Sequence, residues 1–300
     1  LYLASAFQTL ALRFLDRFVK GTDKGFRRDT PRTAVWMETF DTDGAPLDRL
    51  APPQARWVLQ KPSIRASDLL LKEFHLGTGG VLADKAGSGP ADGFDYPGAG
   101  VAVNDIVANS FWGPLPDNWK TTSLAYTSAP LANDTMVYGP GSADLWVTAT
   151  GGDADIQVTV TELRPDGQET YVQRGWLRLS NRTLDTLRST PLLPIHLERA
   201  DQLMPLLPGQ PVFARVEINK MGHYFRKGSR LRIWIDTPSQ TGGLVFDTFT
   251  QKQRIHVLHN AKYDSLVRFG VLNDVKGPPA YPECGKVMLQ PCRPDPVAGP

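Results

Sequence analysis

Apolar residues recur at helical spacing along the first twenty residues of the chain. Their spacing places them on one face of an α-helix, because about 3.6 residues complete each turn. Leu15 and Val19 widen this stripe, and Gly21 is well placed to end the helix in a left-handed conformation. The pattern predicts an amphipathic helix over residues 3–19, with a stripe of Leu3, Phe7, Leu10, Phe14 and Phe18.

Beyond residue 30 the dominant pattern is alternation of apolar and polar residues. In DLWVTATG (144–151) and DIQVTVTEL (155–163), aliphatic side chains alternate with Thr, Gln and Trp. A period of two is typical of half-buried strands, here joined by the turn GGDAD. About ten such strands separated by short turns indicate an all-β sandwich. The other candidates are TAVWMETF (33–40), ARWVLQ (55–60), LLLKEFHL (69–76), ETYVQRGWLRLS (169–180), VFARVEIN (212–219), RLRIWID (230–236), RIHVLH (254–259) and SLVRFGVL (265–272).

Two stretches depart from the strand pattern. Residues 77–119 are rich in Gly, Pro and Asp, which predicts a long irregular connection. Residues 276–300 contain PP, YPEC and PDPVAGP, which predicts an extended, poorly ordered tail. The only cysteines, Cys284 and Cys292, lie in this tail. They form a disulfide if the protein is exported, or remain two unpaired thiols, and without nearby histidines they do not complete a zinc site.

Composition and charge narrow the function without identifying it. The chain has 300 residues, 41% of them hydrophobic, and a net charge of +2. These values are typical of a globular protein and argue against nucleic acid or an anionic membrane surface as a partner. The basic cluster of Lys24, Arg27, Arg28 and Arg32 is short and favours a solvated loop. No apolar run reaches the roughly 18–20 residues of a membrane span. The cysteine pair hints at a secreted protein, and a cytoplasmic location is the alternative.

Motifs for catalysis and cofactor binding are absent from the sequence. No serine stands in a G-x-S-x-G elbow and no phosphate-binding glycine motif occurs, so no cofactor is predicted. Each of the five histidines is better explained by packing or exposure than by catalysis. His256 and His259 would lie on opposite faces of a strand, and Asp153 and Asp155 fit a turn better than a calcium loop. The sequence therefore predicts neither a catalytic residue nor a metal site.

Five segments carry a further signal, and they occur in the order FLDRFVKG (14–21), SLAYTSAPL (123–131), DLWVTATGGDADIQVTVTELRPDG (144–167), GWLRLSNR (175–182) and FRKGSRLRIWIDTPS (225–239). They resemble the cocaine-esterase and X-prolyl-dipeptidyl-peptidase family of serine hydrolases. In that family the first segment closes the α/β-hydrolase domain, and the others belong to a C-terminal jelly roll. The resemblance implies a terminal helix of a hydrolase domain at residues 1–29, a jelly-roll β-sandwich at 30–275 and an irregular tail at 276–300.

The resemblance also implies a partner for the helix. The family's serine, histidine and aspartate triad lies in an upstream α/β-hydrolase domain of about 250 residues, so this chain would be non-catalytic. The stripe would pack on that domain through Phe7, Leu10, Phe14 and Phe18. A small ester or peptide substrate would be bound through the parent protein.

Loops of the family's jelly roll border the substrate site, which implies candidates in this chain. Tyr126, Ser128 and Leu131 are the first of them, and Thr241–Gly243 is a second, weaker one. Two features depart from the family pattern. Ser229 follows the glycine of the late strand where the family usually has a histidine, and the chain continues into a cysteine-containing tail.

Two functions are compatible with this sequence. In the first, the chain is the non-catalytic C-terminal part of a serine hydrolase that cleaves an ester or an X-Pro dipeptide bond. The alternative is a self-standing β-sandwich module that binds carbohydrate or a protein partner, for which Trp146 and Trp234 would supply aromatic surface. The helix favours the first, because an independent sandwich has no need of an aromatic amphipathic helix at its edge.

Overall fold

The computed structural model of the chain describes residues 5–40, 54–98, 115, 117–238 and 249–297. Its α-helices are α1 (Ser5–Phe18), α2 (Phe26–Asp29) and α3 (Trp119–Thr122). Its strands are β1 (Thr33–Phe40), β2 (Gln54–Lys61), β3 (Leu69–Gly77), β4 (Val81–Ala83), β5 (Asp92–Tyr96), β6 (Ser123–Ser128), β7 (Thr135–Ala149), β8 (Asp155–Leu163), β9 (Gln168–Arg178), β10 (Val212–Phe225), β11 (Arg230–Asp236), β12 (Gln253–Leu258), β13 (Leu266–Leu272) and β14 (Cys292–Pro294).

Strands β3 to β14 form one hydrogen-bonded sheet that folds over into two layers. One layer has the order β14-β9-β8-β11-β6. In the other, β7 pairs with β10 along one edge and with β13 and β12 along the other, and these continue to β3 and β5. Strand β4 joins the layers, antiparallel to β3 and parallel to β6. The predicted all-β, jelly-roll-type sandwich preceded by one amphipathic helix is confirmed.

The core between the layers comes from the inward-facing residues of the alternating strands. Leu145 and Val147 of β7 and Val158 and Val160 of β8 are fully buried there, as is Ile233 of β11. Burying each such side chain stabilises the fold by about 1.5–3 kcal/mol. Because the side-chain period in a strand is two, this core fixes the register of each strand.

Strand β8 is buried on both faces, which differs from the prediction of a half-buried strand. Gln157, Thr159 and Thr161 point away from the core, yet all three are fully inaccessible to solvent. Their polar groups find partners within this layer, since the indole nitrogen of Trp176 donates to Gln157 Oε1 at 2.7 Å. Other parts of the same chain cover the outer face of β8. The alternation of residues along one strand does not reveal such a cover.

The tail supplies part of that cover, and the structure differs here from the predicted poorly ordered terminus. Residues Cys292–Pro294 form β14 and extend the sheet beside β9. The Arg293 guanidinium contacts the buried Glu169 carboxylate at 2.8 Å and lies over the ring of Trp234. Cys284 and Cys292 are joined by a disulfide bond. The buried ion pair between Arg293 and Glu169 fixes the tail on the sheet, although its Pro and Gly content predicted a poorly ordered segment.

The predicted irregular connection at 77–119 contains short regular elements. Strand β4 links the two layers, and β5 pairs with β12 through Asp92–Tyr96. Helix α3 brings Trp119 to 5.5 Å from Trp234, measured between ring centroids. Strands of three to five residues are too short to show a clear period of two. The Gly, Pro and Asp content of this segment therefore indicated an irregular connection.

Candidate functional site

Helix α1 presents the predicted apolar stripe to solvent. Phe7, Leu10, Phe14 and Phe18 retain 51, 43, 49 and 54% of their accessible surface. The i, i+4 spacing of Phe14 and Phe18 stacks their rings at a centroid distance of 4.6 Å. These four side chains therefore form one continuous apolar surface on the helix.

Helix α2 completes this surface with Phe26. Its ring meets Phe14 and Phe18 edge-on at 6.2 and 6.1 Å. The ion pair between Arg13 and Asp29, at 3.3 Å, fastens the two helices together. Sequence reasoning missed Phe26, because a four-residue helix is too short to show a period.

Between the helices and the chain that follows lies a groove of about 790 Å³, which we call the aromatic groove. Its floor is the cluster of Phe14, Phe18 and Phe26, and Arg27 and Arg32 stand at its rim. An apolar concave surface with a basic rim is suited to an apolar protein surface that carries acidic residues.

Tyr126 and Ser128, the first two predicted substrate-side residues, are engaged within the sandwich. Tyr126 is buried and its hydroxyl donates to Asp92 Oδ2 at 2.9 Å; burial raises the pKa of this phenol above its ordinary value. The Ser128 hydroxyl donates to the carbonyl of Ala129 at 2.7 Å and accepts from the Leu231 amide at 3.0 Å. Both side chains fix the end of strand β6.

Leu131, the third predicted residue, lies beyond the strand and presents a partly exposed side chain. Its backbone is held by the amide of Gly228 and the carbonyl of Ser229, at 2.9 and 2.8 Å. Its side chain lines an apolar cavity together with Leu231 and Phe225. The second predicted loop, Thr241–Gly243, lies outside the described residues.

Three of the histidines contact carboxylates. His75 pairs with Asp264, His223 with Glu162 and His259 with Asp92, at 2.8–2.9 Å. Ser229 lies close to one of these pairs, but its hydroxyl donates to Glu162 and not to the imidazole. A serine becomes a nucleophile when a histidine takes its proton. Here Glu162 lies between Ser229 and His223, so the imidazole does not contact the serine hydroxyl. Among the described residues no serine hydroxyl bonds a histidine ring.

The described residues also contain neither a metal-binding cluster nor a membrane-spanning helix. No group of three or more histidine, cysteine, aspartate and glutamate side chains there is arranged to hold a metal ion. None of the helices described is both long and apolar enough to cross a bilayer.

The described residues thus form a β-sandwich preceded by an exposed aromatic helix. Residues 24–268 match the family of X-Pro dipeptidyl-peptidase C-terminal non-catalytic domains. The chain belongs to this family. The resemblance to the cocaine-esterase and X-prolyl-dipeptidyl-peptidase hydrolases is thereby confirmed.

Curated relatives and solved structures agree with this assignment. Putative serine esterases of Mycobacterium bovis and Mycobacterium tuberculosis are 25% identical over 231 residues, which is 75% of this chain and 35% of each relative. A CocE/NonD family hydrolase from Staphylococcus aureus superposes with a TM-score of 0.67 at 17% identity, over 91% of this chain and 46% of its own. An aminopeptidase from a marine sediment archaeon, Thaumarchaeota archaeon, gives 0.58 at 16% identity, over 89% and 44%. The solved structures show the shared fold, and the chain spans about a third of the length of the esterases.

Proposed function

We propose that this chain is the C-terminal accessory part of a serine hydrolase that cleaves esters or X-Pro dipeptide bonds, and that it packs on the catalytic α/β-hydrolase domain. The observation that carries this proposal is the aromatic groove, with Phe14 and Phe18 half exposed. An exposed aromatic cluster of this size is typical of an interface. Its basic rim favours a partner surface with acidic residues.

The energy of such packing is substantial. Covering the exposed half of a phenylalanine side chain stabilises a complex by about 1 kcal/mol. Four or five such side chains therefore supply several kcal/mol before the cost of ordering is subtracted. The ring contacts of Phe26 with Phe14 and Phe18 hold the helices together before docking, which lowers that cost.

On the substrate side, the segment from Tyr126 to Leu131 would border the entrance to the active site. Leu131 would contribute its apolar side chain. Tyr126 and Ser128 would position this segment and would not contact the substrate through their hydroxyl groups, because these groups already form hydrogen bonds that hold the end of the strand. Thr241–Gly243 remains a second candidate for this border.

In the parent protein, the chemistry would be a two-step acyl transfer. A serine would attack the carbonyl, a histidine would act as base and an oxyanion hole would stabilise the intermediate. All three would come from the catalytic domain. This chain would restrict the size of the acyl or dipeptide group and would limit access of water.

A carbohydrate-binding module is the alternative, and one observation favours it. Trp146 stacks against Phe213 and Tyr263, each with its ring centroid 5.1 Å away, on an outer face of the sandwich. Rows of aromatic rings bind the apolar faces of sugars. Saturable binding of an oligosaccharide by this chain, lost in Phe213→Ala, would establish this function in place of the first.

Hydrolysis assays test the proposal. A p-nitrophenyl ester and an X-Pro p-nitroanilide are offered to this chain alone and to the protein encoded when the gene is extended upstream. We expect turnover only by the extended protein, and the preferred compound identifies the bond that is cleaved. Turnover by the isolated chain, abolished by replacing one of its own serines, would contradict the proposal.

A further inference from the structure

A second cavity opens between the two layers of the sandwich, at the end near strand β3. Its volume is about 210 Å³. Its wall is mostly apolar and includes Phe74, Leu131, Phe225, Leu231, Phe269 and Val271, together with one hydroxyl, that of Thr135. The Thr135 hydroxyl donates to the carbonyl of Asn133 at 3.1 Å, so the charge that can orient a ligand lies at the mouth.

The cavity is open because β3 has one incomplete edge. It pairs with β13 over Leu69–His75, but with β4 only over His75–Gly77. No strand among the described residues pairs with the remaining edge, Leu69–Phe74. Leu70 and Leu71 consequently stay 57 and 48% exposed and form the mouth.

Lys72 brings a positive charge to this mouth. Its ammonium lies 5.1 Å from the centroid of the Phe74 ring, which belongs to the cavity wall. Its only ion-pair partner among the described residues is Asp84, at 3.0 Å, and the two side chains are 46 and 78% exposed. An ion pair this exposed contributes little, so an incoming anion can replace Asp84 at small cost.

We propose that this cavity binds a small carboxylate with an apolar tail. The wall takes the tail and Lys72 pairs with the carboxylate. A dry cavity of about 150 Å³ holds one benzene molecule, so this one fits an aromatic ring or a chain of about six to eight carbons. The site consists only of the cavity and its mouth and does not depend on the catalytic domain of the proposed function.

Isothermal titration calorimetry of this chain with sodium octanoate tests the site. We expect one molecule bound with a Kd of about 0.1–1 mM, from the size of the ligand. The neutral 1-octanol should bind about three- to fivefold more weakly, because it lacks the charge that pairs with Lys72.

Surface variants separate the two halves of the site. Lys72→Met should weaken octanoate binding about three- to fivefold and leave 1-octanol unchanged, whereas Asp84→Asn should strengthen octanoate binding about twofold. Lys85→Met is the matched control, since this exposed lysine does not line the cavity, and it should bind as the wild type does. These variants lie on the surface and do not disturb the core.

Leu131→Trp tests the cavity itself. The larger ring fills the space, and octanoate affinity should fall at least about tenfold, provided that the melting temperature confirms folding. The proposal is wrong if the wild type shows no saturable binding up to about 10 mM, or if Lys72→Met binds octanoate as tightly as the wild type does. Leu131 also belongs to the proposed substrate border, but this assay involves no hydrolysis, so the two proposals fail independently.

Discussion

A buried carboxylate, Glu162, connects strand β8 to the tail through short polar contacts. Its two oxygens contact His223 Nε2 at 2.8 Å and the Ser229 hydroxyl at 2.5 Å. From the tail, the Tyr281 hydroxyl reaches Ser229 at 2.8 Å and the Gln290 amide reaches His223 Nδ1 at 3.0 Å. One charged group therefore organises side chains from three distant parts of the chain.

The environment of Glu162 predicts a dependence of stability on pH. Burial alone would raise its pKa, but the hydrogen bonds from His223 and Ser229 outweigh burial and hold the pKa below its ordinary value. A carboxyl with a depressed pKa stabilises the fold above its unfolded pKa of about 4.3, and this contribution is lost as the pH falls through the folded value.

We expect Glu162→Gln to lower the free energy of unfolding by about 3 kcal/mol at pH 7, because it breaks a buried pair. The difference from the wild type should shrink as the pH falls from about 5 to 3. Urea unfolding at several pH values measures it. A difference that stays constant over this range would show that the ionised carboxylate is not the stabilising group.

The same contacts connect the two features that the sequence suggested as departures from the family pattern, Ser229 and the tail. Ser229 stands where the family usually has a histidine, and its side chain is fully buried beneath Tyr281 of the tail. Ser229 and the tail are thus in direct contact, which two separate positions in a sequence do not reveal.

At the scale of elements, the tail acts as a fixed cover of one sheet. Glu169 is fully buried and accepts from Arg293 Nε at 2.9 Å and from the Trp234 indole at 2.7 Å. Asp295 pairs with Arg232 at 2.6 Å. Removing one member of such a network leaves an uncompensated charge in the interior.

Arg293→Ala should therefore lower the free energy of unfolding by about 3–5 kcal/mol. The control is Arg254→Ala, which removes an exposed ion pair to Asp95 and should cost less than about 1 kcal/mol. Chemical denaturation of both variants compares them. Equal effects of the two substitutions would contradict the buried role of Arg293.

Long periodic elements were predictable from sequence and short ones were not. Strands β8 and β11 have the bounds that alternation predicts, and α1 ends at Phe18, within one residue of the prediction. Strand β14 has three residues, and its burial depends on Glu169, which is far away in the chain. The helix stripe was visible in the sequence, whereas the cavity beside Leu131 depends on three-dimensional packing.

At the scale of the whole molecule, the two layers approach closely at one point. A Cβ atom at Gly175 of β9 would overlap the carbonyl oxygen of Glu217 in β10. The absence of a side chain there lets the edge of one layer contact the other. This glycine therefore permits the close approach of β9 to β10.

Gly175→Ala should destabilise the fold by about 3 kcal/mol or more, because backbone must move to admit the methyl group. Gly152→Ala is the matched control, since a methyl group there would meet no atom within 4 Å and the backbone at this residue is not left-handed. Thermal unfolding of the two variants measures the difference. Similar melting temperatures for both would contradict the close approach.

The central claim is that the aromatic groove docks on a catalytic domain. Its most direct test is to measure the free energy of unfolding of the extended protein by calorimetry for the variants Phe14→Ala and Phe18→Ala. The control variant is Leu187→Ala, because Leu187 is 95% exposed. Each phenylalanine should cost about 3–5 kcal/mol in the extended protein if docking buries it fully. In this chain alone the same substitutions should cost much less, because the rings are half exposed. Unchanged unfolding of the extended protein would contradict the claim.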